Sequence, residues 1–564
     1  MAMASSPEPR RSRRGAAAFA LVVVLVAVGA VLVTVRPTRG RSTTAADRYA
    51  VPADLRRRDA RPTDPVDPVL TAMAETDRAR EHLAVHLVHG HAGAFLPVVQ
   101  PDPAVRPTLV LPGRPKPYDL ATLAHQVPAA FQRLDDGALV LLNPLLLAHD
   151  ATLVVDSDTV PALRLSSGPA GYATITAVRA TVILRGHPGR PLDITSFDPT
   201  TGGPDLQRKD GRAYVLDRGG RMDLRHVAVS RLGYANTGES SGVAWTADID
   251  HPATGAAIDS TFSHNYFGAY TAGAEGLEII RSSFLDNVIY GFDPHTATND
   301  TVVSHSVAAR NGRHGFIFSE GCERNVVRDS EAFLNGGAGF MIDDGTPAHG
   351  LGRPSDGNTL LRVSSHDNGD AGVVIEGGVD NQLRGSTVVN NEYGVWVRNG
   401  AAGTKLVHNT IVATERTAVR LAAGLGPIGI SGVEVRGAKV GVGSDGGSAT
   451  DVRDLRISGT TSAGIRLEGD QAHARFADVV ISRSGAEGLD VRGTSPRAAQ
   501  LAGIDGARQK AAAVARWGLA SALHRSVLTL WALILLLPLL SKVPLGLQRR
   551  RTQGSPSGAA GRWL

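Results

Sequence analysis

Apolar residues recur along this chain in short alternating runs, each announced by a glycine or its stand-in: Gly268, Gly291, Gly315, Gly339, Gly372, Gly394, Ala418, Gly441, Gly464 and Gly488. The successive gaps are 23, 24, 24, 33, 22, 24, 23, 23 and 24 residues. A period near that value, with strand-length runs and no amphipathic helix between them, predicts the coils of a parallel β-solenoid. One place after the glycine stand Phe292, Phe316, Phe340, Val373 and Val395, and three places after it Pro294, Phe318, Ile342, Ile375 and Val397. Alternation points both sets inward. Positions two and four after the glycine are then expected to face solvent, and the latter form a polar column of His295, Ser319, Asp343, Glu376 and Arg398. Asn287, Asn311, Asn335, Asn368 and Asn390, each four before the glycine, are expected at a corner, because asparagine tolerates left-handed backbone and its amide can bond to the coil above.

The flanks read differently. From residue 138 the runs ALVLL, TLVVD, ALRLS, ATITA and TVILR alternate with turns, so the β-helix is predicted over 138–495. Before it, 69–137 forms a cap with helical patterns at Val69–Val88 and at Asp119–Leu134, the second N-capped by Asp119 and divided at Pro128. Residues 36–68 are a linker, and 496–525 turn to the composition of a helical stem. Ala16–Val35 is an uncharged run of 20 residues behind the basic tail 1–15, long enough to span a bilayer with its arginines cytoplasmic. A second apolar stretch, Val527–Leu540, lies within a predicted membrane segment 526–545 followed by a basic tail 546–564. Both termini are thus expected in the cytoplasm and the solenoid outside it, held to the membrane through both ends.

Charge changes the picture in one respect. The net charge is +5, yet residues 1–41 contribute +6 (seven Arg, one Glu) and 542–564 contribute +5, which leaves about −6 for the interior. The basic charge therefore flanks the apolar runs and argues against a nucleic-acid partner. Cys322 is the single cysteine, so no internal disulfide forms. No nucleotide or cofactor motif is present, and the adjacent Asp343 and Asp344 do not by themselves assign a metal.

Candidate chemistry concentrates at Tyr290–Glu320, where Asp293 and His295 project from one strand, with His314 and Ser319 one coil on and Asp343 and Asp344 one further. A histidine oriented by a carboxylate suits proton transfer near neutrality. One coil earlier, His264, Asn265, Tyr266 and Tyr270 add polar and aromatic groups. The 33-residue gap holds an insertion within Gly345–Gly357 beside this cluster.

The motifs YGFDPH and HGFIFS, preceded by HNYFGAYT and SFDPTTGGPD, resemble those of the periplasmic mannuronan C5-epimerases and their uncharacterised relatives. The resemblance implies a right-handed parallel β-helix that inverts C5 of mannuronate within a polymer; the fold expected is all-β with short capping helices, and no cofactor is expected. It implies His295 as the catalytic base and Asp293 as an orienting residue. Tyr270, Tyr290, His264, Asn265, Arg313, His314, Ser319, Asp343 and Asp344 are the expected substrate-binding residues. The family carries Arg directly after the residue aligned with Ser319, whereas this chain has Glu320, a charge expected to repel a uronate carboxylate. Arg313, Arg310 and Arg324 are the candidates for replacing that cation, and Tyr270 or Tyr290 for the donor on the opposite face of the sugar. Partners expected on this basis are a uronate-containing polysaccharide and the machinery that makes or exports it. A non-catalytic glycan-binding or assembly module, a lyase and a glycoside hydrolase remain as rivals, the last needing two carboxyl groups about 5–9.5 Å apart.

Overall fold

The computed structural model describes residues 107–235, 238–345, 352–485 and 487–492, with 98–100, 504–505 and several residues between 68 and 79. Each central coil contributes three short strands, as in Phe292–His295, Val302–Ser304 and Val307–Ala309, and toward the C-terminus these merge into longer ones such as Thr410–Leu421 and Ile428–Ser444. Each strand pairs in parallel with its equivalent one coil on: Phe292 with Phe316, Val302–Ser304 with Val326–Arg328, and Val307–Ala309 with Glu331–Phe333. The result is a parallel β-helix of three sheets.

The inner columns are those expected from alternation. Phe284 stacks on Phe292 with centroids 5.4 Å apart and Phe316 on Phe340 at 5.2 Å, and the four rings are at most 1% exposed. Each such ring stabilises the fold by about 2–3 kcal/mol through burial. The periodic glycines are explained by space, not by backbone angle. A Cβ on Gly291 would lie 2.4 Å from the Gly315 carbonyl oxygen.

Beside the glycines runs an asparagine ladder. Asn287, Asn311, Asn335 and Asn368 each offer Oδ1 to the backbone N–H of the rung before, at 3.0–3.1 Å. Their Nδ2 groups donate to backbone carbonyls such as Phe262 O and Phe284 O. The ladder ends differently from the sequence expectation. Its next rung is Asn391, which accepts from Asn368 at 2.9 Å, while Asn390 turns outward to Asp367. A second ladder, Asn325–Asn358–Asn381, and a serine ladder, Ser260–Ser282–Ser306–Ser330, hold the other two corners.

The coils begin earlier than predicted, since Thr108–Leu111 already pairs in parallel with Leu145–Leu147. The predicted helix at Asp119 spans Leu120–Gln126, with the Asp119 carboxylate accepting from Thr122 N–H at 2.8 Å and Pro128 opening a separate turn. The described residues between 68 and 79 are helical. Asp77 there accepts from the hydroxyls of Tyr172 and Tyr214 at 2.7 and 3.2 Å. Within the predicted stem, Ile504–Asp505 pairs in parallel with Val479–Val480 as strand. Among the described residues no helix is long and apolar enough to cross a membrane, and both predicted membrane segments lie outside the described residues.

Two observations depart from simple alternation. Ile317, Met341 and Val374, two places after the glycine, point outward yet are only 1–7% exposed. They pack with Tyr290, Ala338, Ala371, Tyr393 and Trp396 into an apolar strip on the outer face of one sheet. Inside the coils, Asp217 occupies an inward position between Ala177 and Trp245, fully buried, with neither carboxyl oxygen hydrogen-bonded. Burial pushes this carboxyl up to about 8; the Gly220 backbone N–H nearby opposes the rise and the neighbouring Asp223 charge adds to it.

Candidate active site

The strand Phe292–His295 sits on the same outer face as the apolar strip, paired with Ala269–Ala272 on one side and Phe316–Phe318 on the other. His295 Nδ1 lies 2.7 Å from Thr296 Oγ1, whose hydroxyl donates to Glu320 Oε2 at 3.3 Å. A hydroxyl that donates to a carboxylate accepts from the ring, so Nδ1 carries the proton and Nε2 presents its lone pair. Burial lowers the imidazole pKa, which keeps the ring neutral, while the Glu320 and Asp343 charges oppose that shift. Glu320 Oε1 stands 3.8 Å from Nε2. An imidazolium formed there is therefore met by a carboxylate.

Asp293 does not share His295's openness. It is 2% exposed, its Oδ1 has no hydrogen-bond partner, and burial together with the charges of Asp343 and Glu320 raises its pKa well above the carboxylate range. The strand thus carries a neutral acid and a neutral base two residues apart. Tyr270, in register with Asp293, places its ring 5.7 Å from that of His295, and burial keeps its phenol protonated.

Five residues after the glycine the chain turns a left-handed corner, occupied by Gly273, Gly377 and Asn399 in other coils but by Thr296 (φ 31°) and Glu320 (φ 55°) here. A β-branched or charged residue costs roughly 1–2 kcal/mol in that conformation. That departure from the Gly/Asn pattern is readable in the sequence; it adds Thr296 to the site and gives Glu320, expected there only as a repelling charge, a place beside His295.

The remaining predicted residues separate into three groups. Arg313 and Tyr290 are at the site: Arg313 Nη1 donates to the Tyr290 hydroxyl at 3.0 Å, and its charge acts on Asp293. Ser319 and Asp343 continue the column above His295, with Asp343 Oδ1 accepting from Gly345 N–H. Asp344 has its pKa raised to about 6 by burial and by the Glu376 and Asp343 charges. Asp343, Asp344 and Glu376 bring one oxygen each within 4.8 Å of one another, but Glu376 is already held by Arg398 at 2.5 Å and by Asn399.

Three expectations are corrected. Asn265 is a fully buried ladder rung whose Oδ1 accepts from Leu232 N–H, so its amide is not offered to a ligand. His314 is buried, stacks on Tyr290 at 5.6 Å and accepts from Ala338 N–H through Nδ1; its burial and the Arg313 charge lower its pKa to about 3. It is a structural acceptor. His264 stands at the positive-φ corner, where its charged neighbours are Asp286, Arg231, Arg310 and Arg212 and none of the site carboxylates. Arg310 and Arg324 are committed to Asp286 and to Asp300 and Glu323, leaving Arg313 as the candidate cation that reaches the site.

Residues 258–411 match the model of the right handed beta helix region. The mannuronan C5-epimerase of Pseudomonas putida is 25% identical over 309 residues, covering 52% of this chain and 56% of that one. The chain is similar to the mannuronan C5-epimerase-like β-helices. The mannuronan C5-epimerase AlgG of Azotobacter vinelandii is 24% identical over 315 residues, 53% of this chain and 56% of its own length. The chain thus spans about half the length of the curated relatives it matches. Among solved structures, the periplasmic alginate epimerase AlgG superposes with a TM-score of 0.50 at 18% identity, over 68% of this chain and 85% of that one.

Proposed function

We propose that this protein acts outside the cytoplasm on a uronate-containing polysaccharide, with His295 removing the proton from C5 of a sugar residue in the chain. The observation that carries this reading is the placement, on one strand, of a half-buried His295 whose Nδ1 is engaged by Thr296, leaving Nε2 to face the site, two residues from the buried Asp293 carboxyl. The C5–H bond breaks toward His295 Nε2, and its electrons delocalise onto the adjacent carboxylate. The protein must stabilise the charge that accumulates there. Asp293, as a neutral acid, donates a hydrogen bond to that carboxylate, and Arg313 supplies the cation. The Tyr270 hydroxyl returns a proton to the opposite face of C5 and takes one back from solvent, while His295 releases the proton it accepted. Glu320 is accommodated in this scheme because it faces the imidazole and favours the imidazolium.

A second reading is favoured by the surplus of carboxyl groups: a protonated Asp293 flanked by Asp343 and Glu320 has the makings of a hydrolase acid–base pair. One experiment separates the two. The full-length protein is incubated with polymannuronate in D₂O and followed by NMR. C5 deuteration that disappears in His295→Ala supports proton abstraction, and the sugar signals distinguish epimerisation from elimination. New reducing ends without deuteration mark hydrolysis, and binding without either marks a glycan-binding module. The anchored topology belongs to the same proposal, through 16–35 and 526–545, as does association with the polymer's synthesis or export machinery. Membrane fractionation and protease protection of a tagged chain test the anchoring.

A further inference from the structure

The outer face that carries His295 continues past the apolar strip to a cleft of about 280 Å³ lined by Tyr393, Arg416, Arg420, Lys439, Asp445 and Arg466, among others. It lies on the same column as the candidate site: Ile317 pairs with Met341, Met341 with Val374, Val374 with Trp396, and Trp396 with Arg420. Five coil spacings at about 4.8 Å put Arg420 roughly 24 Å from Asp293.

The guanidinium groups here are held in place. Arg398 and Arg420 cover the Trp396 ring at 4.5 and 4.9 Å. Arg416 and Arg420 both donate to the Tyr393 hydroxyl at 3.2 Å. The one carboxylate facing Arg420 is Asp445, at 3.4 Å, and among the described residues Lys439 makes no ion pair. The lining carries Arg416, Arg420, Lys439 and Arg466 with Asp445 and Glu468; Arg416 is paired with Glu392 and Arg466 with Asp490, both at 2.8 Å, so Arg420 and Lys439 are the cations left to meet an anion. Around His295 the carboxylates Glu320, Asp343, Asp344 and Glu376, beside the neutral Asp293, outnumber Arg313 and Arg398. Pre-oriented guanidinium groups with spare donors are built for planar oxyanions.

We propose that this cleft is an anchoring subsite for a carboxylate of an acidic glycan, which lies along the face with another of its residues at His295. The proposal rests on the reading of His295 for its second half only. It makes the substrate an extended polyanion: the cleft supplies the attraction that the carboxylate-rich catalytic end lacks, and a neutral glycan is not retained.

The test measures binding and exchange separately. Binding of polymannuronate, dextran sulfate and neutral dextran to the full-length protein is followed by calorimetry at two salt concentrations, for wild type, Arg420→Gln, Arg420→Lys and the exposed Lys439→Gln. The expected result is a tenfold or greater loss of polymannuronate affinity and a shallower salt dependence in Arg420→Gln, a smaller loss in Lys439→Gln, and partial recovery in Arg420→Lys. No variant is expected to change neutral dextran binding. Stronger capture of dextran sulfate than of polymannuronate would reassign the cleft to sulfate. Unchanged polymannuronate affinity in both Arg420→Gln and Lys439→Gln overturns the proposal, even if C5 exchange is observed. Loss of affinity without any C5 exchange leaves the subsite standing and overturns the catalytic reading instead.

Discussion

Asp217 offers a sharp test of how the coil interior treats charge. Its carboxyl is pushed up to about 8 in the folded protein from 3.8 when exposed. The native state therefore holds a proton that the unfolded chain releases above about pH 4. Stability linked to this group is complete below the unfolded value and is lost as pH rises toward the folded one, at about 1.4 kcal/mol per pH unit. By pH 7 the accumulated loss is on the order of 4 kcal/mol. Asp217→Asn keeps the side chain's shape and removes the titration. Whatever constant cost the buried amide introduces, the stability of the variant relative to wild type should climb by about 1.4 kcal/mol per unit between pH 5 and 7. Urea unfolding followed by circular dichroism at pH 5, 6 and 7 measures that difference, and other titrating groups cancel in it. A difference that stays flat, or falls with pH, would show that the carboxyl is solvated or partnered in the native coil.

Other outcomes follow from the ladders and the site. Asn311→Ala removes bonds to Asn287 N–H, Asn287 Nδ2, Phe284 O and Asn335 Oδ1. It should cost about 3–4 kcal/mol in urea unfolding at roughly 1 kcal/mol per bond, whereas Asn390→Ala, which loses only the exposed contact to Asp367 and asparagine's tolerance of left-handed backbone, should cost about 1 kcal/mol. Glu320→Gln removes the carboxylate that raises the His295 pKa, so the imidazole titration seen by NMR on histidine-labelled protein should move to lower pH; a stationary or rising midpoint contradicts the pairing. Asp293→Asn preserves a neutral donor and is expected to keep C5 exchange within about tenfold of wild type at pH 7, while Asp293→Ala should lose a hundredfold or more, as removal of such a donor typically does. Equal collapse of both would mean that Asp293 works as an anion.

The coil period and the inner columns were legible because burial imposes a period of two on any strand with one face inward, and Phe292, Phe316 and Phe340 obey it without exception. Counting back from the glycine misplaced two ladder rungs. Asn265 and Asn391 lie three residues before Gly268 and Gly394, where the other coils use four. The shortened corner moves His264 and Asn390 into the exposed left-handed position instead. The outward apolar strip was hidden for a different reason. Ile317, Met341 and Val374 are covered by Tyr290, Tyr393 and Trp396, and alternation alone says nothing about what lies over a surface. Glu320 read as a defect because a sequence gives the sign of a charge but not the group it faces.

The two asparagine ladders cross the long 33-residue interval as easily as the short ones. Asn325 to Asn358 and Asn335 to Asn368 keep the same 3.0 Å side-chain bonds that join Asn311 to Asn335 at 2.9 Å across 24 residues. The spine is therefore indifferent to what is inserted between its rungs and intolerant of a slip within them. Whole loops between the rungs can be exchanged, lengthened or grafted from one β-helix to another without renegotiating the stack. A single-residue deletion inside a rung would break the bond on both sides of it. For anyone redirecting this scaffold to another glycan, the Gly345–Gly357 segment is the place to edit, and the asparagine corners are the places to leave alone.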